Sequence, residues 1–331
     1  MLLAKDKEGS VFLATEARKE RKYYCPSCGN QVFLKRGKKR IAHFSHHDPT
    51  NCQVFSEAES EEHLYLKKQC FGWLKKSYPR VEMEGYLSPL AQRADIIAGH
   101  HVFEIQCSQL SYTRMIERTT NYQANGYIVW WLLGMKFFKK KDRLIPEKKF
   151  CYYDHLRGLH FWQIDWSTQM IYLYSQIITD LSGKIRFERF SWAFFEKDLL
   201  TVLERGSESL RKATNAHSVK TKDWLAKQIL RKNKRVLAVQ EQCYLRKKHL
   251  LYLESWIYEE SDFFFFFTEQ VFFYRLLFSQ VISKKTDLTT SYFNTWYQKI
   301  KEYKSEWLFP LIEEENIYRL FYEECKRLVE K

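Results

Sequence analysis

Asp95 and Glu104 lie in a stretch that reads as a hairpin. Arg93-Ala94-Asp95-Ile96-Ile97-Ala98 leads into a Gly99-His100 turn, and His101-Val102-Phe103-Glu104-Ile105-Gln106 leads out. A two-residue loop pairs Ala98 with His101, Ile97 with Val102, Ile96 with Phe103 and Asp95 with Glu104. The two acids then face each other with Cβ atoms roughly 5 Å apart. Gln106, two residues on, shares their face. Like charges opposed in this way destabilise a sheet unless something compensates them. Glu104 also sits among apolar neighbours, where an idle carboxylate is costly. Mg2+ or Mn2+ held by Asp95 and Glu104 would supply the compensation, and such an ion polarises a phosphodiester and activates a water. An exposed edge hairpin with its acids in water is the competing reading, and a one-residue slip of register would separate the pair.

Glu59, His63 and Lys67 follow at i, i+4 and i+8 and share a helix face. Glu59 could add a further metal oxygen, and His63 or Lys67 could touch water or phosphate; a solvated row is the alternative. Arg114, Arg118 and Tyr122 repeat the spacing. Two arginines one turn apart suit a phosphate backbone, and a salt-bridged surface competes with that reading.

A second constellation is rich in sulfur. Cys25-Pro26-Ser27-Cys28 is a Cys-x2-Cys knuckle, with His43-Phe44-Ser45-His46-His47 and Cys52 downstream. Two thiolates at that spacing reach one zinc ion, which wants four such ligands in a tetrahedron. Cys25, Cys28, His43 and His46 are the expected Zn2+ set, with His47 and Cys52 as alternatives for the distal pair. If residues 40–46 form a strand, His43 and His46 point to opposite faces, so both bind only if the strand ends between them. The basic run Lys35-Arg36-Gly37-Lys38-Lys39-Arg40 on the same module could contact phosphates.

The elements that must position these residues differ along the chain. Residues 1–55 are short, basic and rich in Cys and His. Residues 56–195 alternate helical and strand patterns. Residues 196–331 are helical almost throughout. In the middle region Ser56 is the expected cap of a first helix that Pro79 stops. Ser108 or Ser111 should cap a second helix running to about Ala124 and closed by Gly126. Tyr127–Leu133 reads as a buried strand, and Met170–Thr179 with Lys184–Phe190 reads as a hairpin around Ser182-Gly183. The row Leu225, Ile229, Lys232, Val236, Val239, Cys243 is heptad-like but interrupted by Lys232, which favours helix packing within the chain over a long coiled coil.

The 331 residues carry 54 Lys and Arg against 40 Asp and Glu, a formal charge of +14. Such an excess favours a polyanionic partner, nucleic acid first. The excess is local: Arg205–Lys248 holds 13 basic and 3 acidic residues. With 11 Gly and 6 Pro, collagen-like and Pro/Gly-rich disordered classes are excluded. No apolar stretch reaches the ~18 residues of a membrane span, no secretory signal is visible, and the eight cysteines suggest metal rather than disulfides. A cytoplasmic protein is expected.

Taken together, Cys25-Pro26-x-Cys28 with His43-Phe44-Ser45-His46, Glu59-Ser60-x-x-His63-Leu64, Ala94-Asp95 followed by Glu104-Ile105-Gln106-x-Ser108, Arg118 to Tyr122 and Val129-Trp130-Trp131 resemble the competence protein CoiA family of naturally transformable Gram-positive bacteria. The resemblance covers nearly the whole chain. It implies an α/β core of the PD-(D/E)xK restriction-endonuclease type, with a small zinc-finger-like N-terminal module and an all-α C-terminal domain. It implies that Asp95 and Glu104 are ligands of Mg2+ or Mn2+ and that Glu59 is the helix acid often seen in that fold. It further implies a role in processing incoming single-stranded DNA and promoting RecA-dependent recombination during transformation, either as a nuclease (a hydrolase) or as an inactive DNA-binding mediator. One departure stands out. The signature has Lys two residues after the Glu, and here that position is Gln106, which can hydrogen-bond water but carries no charge. Lys67 or Arg114 would have to supply the missing cation.

Overall fold

The computed structural model describes residues 1–37, 41–47, 52, 59–138, 147–205, 221–282 and 290–330. They fall into two compact units. The first is Met1–Cys151 with Phe161–Tyr174 and Arg189–Ser209; the second is Tyr152–His160, Ser175–Glu188 and Leu210–Lys331.

The first unit opens with an antiparallel sheet of β1 (Leu3–Lys5), β2 (Val11–Leu13), β3 (Tyr23–Tyr24), β4 (Gln31–Lys35) and β5 (His43–His46), in the order β2-β1-β3-β4-β5. Its core is small: Ala4, Tyr23, Val32 and Phe44 pack together with Cys25 and Cys52. So few apolar side chains leave much of the stability to be found elsewhere.

Helix α1 (Glu61–Leu74) follows, capped by Ser60, whose side chain accepts from the His63 amide. The expected cap, Ser56, lies outside the described residues. Strands β6 (Val81–Met83), β7 (Tyr86–Leu87), β8 (Gln92–Arg93), β9 (Ile96–Ala98) and β10 (His101–Gln106) lead to α2 (Tyr112–Ala124) and β11 (Ile128–Leu133). The β9–β10 hairpin has the expected register: Ala98 opposite His101, Ile97 opposite Val102 and Ile96 opposite Phe103. Gly99 (φ +61°) supplies the left-handed backbone that so tight a turn requires. Strands β10 and β11 are parallel, which needs a crossover, and α2 provides it. Ser111 caps α2, and Gly126 at φ +78° ends it, as its sequence signals predict.

The larger sheet is completed by β12 (Tyr152–Asp154), β13 (Gly158–Asp165), β14 (Met170–Thr179) and β15 (Ile185–Ala193), in the order β15-β14-β13-β11-β10-β9-β6 with β12 paired to β13. Strands β10 and β11 carry near-continuous apolar runs because they are central. The short helix α3 (Leu199–Arg205) closes the first unit.

In the second unit, the described helices after α3 are α4 (Thr221–Leu230), α5 (Lys234–Tyr244), α6 (Phe264–Phe267), α7 (Gln270–Ile282), α8 (Thr290–Lys301) and α9 (Glu314–Val329). The interrupted heptad row becomes two helices. Lys232 adopts φ +54° at the break, and Leu225, Val236, Val239 and Cys243 are all fully buried. The phenylalanine run is core: Phe267 stacks on Tyr318 at 4.7 Å and meets Phe321 at 5.2 Å. Among the described residues no helix is long and apolar enough to cross a membrane.

Candidate metal centres

Cys25 and Cys28 sit at the turn between β3 and β4, where a Cys25 N–H to Asn30 O bond and a Gly29 N–H to Cys25 O bond fold the knuckle back on itself. His46, at the end of β5, brings Nε2 to 3.3 Å from Cys28 Sγ. Cys52 completes the group, and one ligand atom from each of the four residues lies within 4.8 Å of the others. His43 is not part of it. Its Nδ1 lies 2.9 Å from the carbonyl of Ile41, on the other face of β5. The reason is strand parity: His43 and His46 are three residues apart, and Phe44, which shares the His46 face, is buried in the module's core. The geometry thus groups Cys25, Cys28 and His46 with Cys52, one of the alternatives for the distal pair, and leaves His43 outside. Three thiols and one imidazole at this spacing could hold zinc in a closed structural site. Burial, and then the positive charge of Arg93, push the His46 imidazole below its ordinary pKa, favouring the neutral form a metal requires.

The acidic site is built on α1 and the β9–β10 hairpin. Ligand atoms of Glu59, His63 and Asp95 lie within 4.8 Å of one another. His63 Nε2 is 3.0 Å from Asp95 Oδ2, and the same oxygen accepts from the Ile105 amide at 2.9 Å. Lys67 is fully enclosed. Its Nζ donates to Glu59 and, at 2.7 Å, to Glu84, and lies 3.5 Å from Asp95 Oδ1. Glu104 faces a different pair: Arg118 and Tyr122 both donate to its Oε1. The i, i+4 spacing of Arg118 and Tyr122 on α2 puts both groups on one carboxylate.

Burial would raise the Asp95 carboxyl, but His63 and Lys67 beside it hold it well below the usual carboxylate range. Glu59 and Glu84 are likewise held low by Lys67 against the same desolvation. For Glu104 desolvation wins and the carboxyl is pushed up, even with Arg118 adjacent. Burial alone would push the His63 imidazole down, but Asp95 raises it. The hairpin register runs as far as Ile96 opposite Phe103, and each acid beyond it is compensated by side chains of the protein, Asp95 by His63 and Lys67 and Glu104 by Arg118 and Tyr122.

The sequence-derived candidates divide accordingly. Asp95, Glu59, His63 and Lys67 come together. Glu104 lies on the neighbouring strand with Arg118 and Tyr122, and both of these are buried, at 7% and 0% exposure. Gln106 donates from Nε2 to the carbonyl of Ser108 at 2.8 Å. Arg114 is at the surface, 2.7 Å from Glu117. Sequence reasoning missed Glu84, which is buried and also accepts the Leu2 and Leu3 amides at 2.7 and 3.1 Å. No periodicity marks it; its place is set by Lys67, 17 residues earlier. It also missed Arg93, whose position two residues before Asp95 was the available signal.

A family model described as competence protein CoiA, nuclease-like domain, matches residues 59–197, and one described as competence protein CoiA, N-terminal domain, matches residues 11–55. The competence protein CoiA of Bacillus subtilis (strain 168) is 31% identical over 126 residues, which is 37% of this chain and 34% of that protein. The match thus spans about a third of the length of that curated relative. No solved structure matches.

Proposed function

From the premise that the chain belongs to the competence protein CoiA family, we propose that it is a metal-dependent nuclease of natural transformation that processes incoming single-stranded DNA ahead of RecA-dependent recombination. We propose with it a PD-(D/E)xK-type core and three functional segments, 1–55, 56–195 and 196–331. The observation that carries the reading is the enclosed donor group Glu59–His63–Asp95 with the Lys67 ammonium set against Asp95. Carboxylate oxygens with one imidazole fit Mg2+ or Mn2+. Asp95, with Glu59 and His63 beside it, would hold the ion, and Glu104 on the neighbouring strand would be the ion's further carboxylate ligand. Bound there, it would polarise the phosphodiester and supply an activated water.

The chain's own groups do the rest. His63 and the Ile105 amide fix the orientation of Asp95. Arg118 and Tyr122 fix Glu104. Lys67, buried yet holding its proton more tightly than usual because of its acidic neighbours, would supply beside Asp95 the positive charge that Gln106 lacks, while its own hydrogen bonds go to Glu59 and Glu84. Arg114, on the surface of α2 beside Glu117, would meet the backbone of the strand.

The test is Mg2+- or Mn2+-dependent degradation of labelled single-stranded DNA by wild type and by the near-isosteric Asp95→Asn and Glu104→Gln variants. Activity should fall to background in both variants while thermal unfolding shows them folded. Activity that survives both substitutions, or is absent in wild type with either metal, defeats the proposal.

The engagement of Gln106 with Ser108 and the full enclosure of Lys67 favour a second reading, an inactive DNA-binding mediator that assists RecA-dependent strand exchange. It expects normal transformation by cells carrying Asp95→Asn, together with salt-dependent DNA binding by the purified protein.

A further inference from the structure

The second unit carries a surface that the acidic site does not use. Helices α4 and α5 bury Leu225, Val236, Val239, Gln240 and Cys243 and expose a basic side. The outward side is unusual in two ways. Arg231, Lys232, Lys234, Arg235, Lys247 and Lys248 are all exposed, and among the described residues none of them is held in an ion pair. Glu241 is the exposed acid between them. At the other end of α5, next in the chain to Lys247 and Lys248, large side chains stand in water: Tyr244 is 59% exposed and Tyr252 is 82% exposed.

These rings are not scattered. Tyr244 contacts His249 with centroids 5.5 Å apart, and His249 contacts Tyr252 at 5.0 Å, so the three form a continuous aromatic row. Arg246, Lys247 and Lys248 lie in the chain between the first ring and the second. Two solvated tyrosines joined through His249, with Lys247 and Lys248 in the chain between them and, among the described residues, outside any ion pair, match the requirements of an unpaired nucleic-acid strand. Bases stack on the ring faces, and phosphates one backbone repeat away meet the ammonium and guanidinium groups. A duplex offers no free base faces, so this surface favours the unpaired strand. An acidic protein would satisfy the cations but not the row of rings.

We propose that the Tyr244–His249–Tyr252 row, with Lys247, Lys248 and the cationic turn at Arg231–Arg235, is a binding surface for single-stranded nucleic acid. It uses none of the residues of the acidic site and does not rest on that site's being catalytic.

The experiment uses the full chain, without added divalent metal, and fluorescein-labelled oligo-dT, oligo-U and a duplex, read by anisotropy. Tyr244→Ala/Tyr252→Ala should weaken binding of the single strands roughly ten-fold or more, since a lost stack is worth about a factor of ten. The Tyr244→Phe/Tyr252→Phe variant should bind as wild type, because the ring face is kept. Lys247→Ala/Lys248→Ala should lower the steepness of the log Kd against log salt plot by about 1.4 for two released phosphate contacts. The oligonucleotide with the larger loss identifies DNA or RNA as the strand read. In parallel, photo-crosslinking with iodo-substituted oligonucleotides should label peptides containing Tyr244 or Tyr252. Unchanged single-strand affinity in the alanine variant, an equal loss on the duplex, or crosslinks confined to other peptides would each overturn the proposal. None of these readouts depends on cleavage, so failure here leaves the nuclease reading standing, and the reverse also holds.

Discussion

Lys67 is the residue on which the acidic site balances. It is fully buried, and its charge is matched by Glu59, Glu84 and Asp95 rather than by water. Removing one partner of such a network leaves the others buried and uncompensated, which costs far more than the net contribution of the pair. Lys67→Met should therefore destabilise the protein by about 3–5 kcal/mol in urea unfolding. Arg114→Ala, which breaks a surface pair with Glu117, should stay within about 0.5 kcal/mol. Equal effects would mean that the enclosed network contributes no more than a solvated one. At this scale the sequence was readable where chemistry and spacing agreed. Glu59, His63, Lys67 and Asp95 could be picked out because one helix face and one hairpin register specify them. Arg118 and Tyr122 were recognised as a pair, but their partner was not, because spacing along one helix does not say which neighbouring element the face meets. Glu84 was invisible because its burial comes from a fold contact and from no local pattern.

Among the elements, the turn of the hairpin and the existence and closing glycine of the second helix were legible, with its cap narrowed to Ser108 or Ser111. A two-residue Gly-containing loop leaves one register, and Ser111 and Gly126 mark both ends of α2. Ser111→Ala, which removes the hydroxyl that accepts the Arg114 amide at 3.2 Å, should cost about 1 kcal/mol. Strand β5 was legible in its alternation, which allowed His43 and His46 both to bind only if the strand ended between them, and it runs on through His46. The parity that puts His46 on the Cys28 face also carries His43 away from it, and Cys52 lies on a segment whose course no pattern in the sequence gives. The grouping is testable by metal content. Purified wild type should carry stoichiometric zinc, His43→Ala should keep it, and Cys52→Ala should lose most of it, as read by plasma mass spectrometry. Chelation should also melt the five-stranded sheet, whose small core cannot replace the folding energy a structural zinc supplies, on the order of 10 kcal/mol. Zinc retained by Cys52→Ala and lost by His43→Ala would restore the original assignment.

At the scale of the whole molecule, stability should depend on pH, and the sign follows from which groups the fold deprotonates. His160 on β13 is buried. Burial, and then the positive charge of Arg157, push its imidazole down to about 4. Its ring stacks on Tyr152 at 5.6 Å, and Nδ1 sits 2.9 Å from the Gly158 carbonyl. Unfolded, the same imidazole titrates near 6.5. Between these values the unfolded chain binds a proton that the folded chain refuses, so stability is full above about 6.5 and is lost as pH falls toward 4. The loss at the bottom of that window is about 3 kcal/mol for this one group. Glu59, Glu84 and Asp95, whose folded pKa values are depressed, act in the same direction one step lower: their contribution is present above about 4 and disappears as pH drops through their folded values. Acid should thus weaken the protein in two stages. His160 is a large part of the first, and a neutral side chain of similar shape removes that part and leaves the second. Urea midpoints measured from pH 8 to pH 4 should fall for wild type and fall less steeply above pH 5 for His160→Gln. Parallel curves for the two proteins across that range would show that the buried imidazole is protonated in the folded state and that the β12–β13 hairpin tolerates its charge.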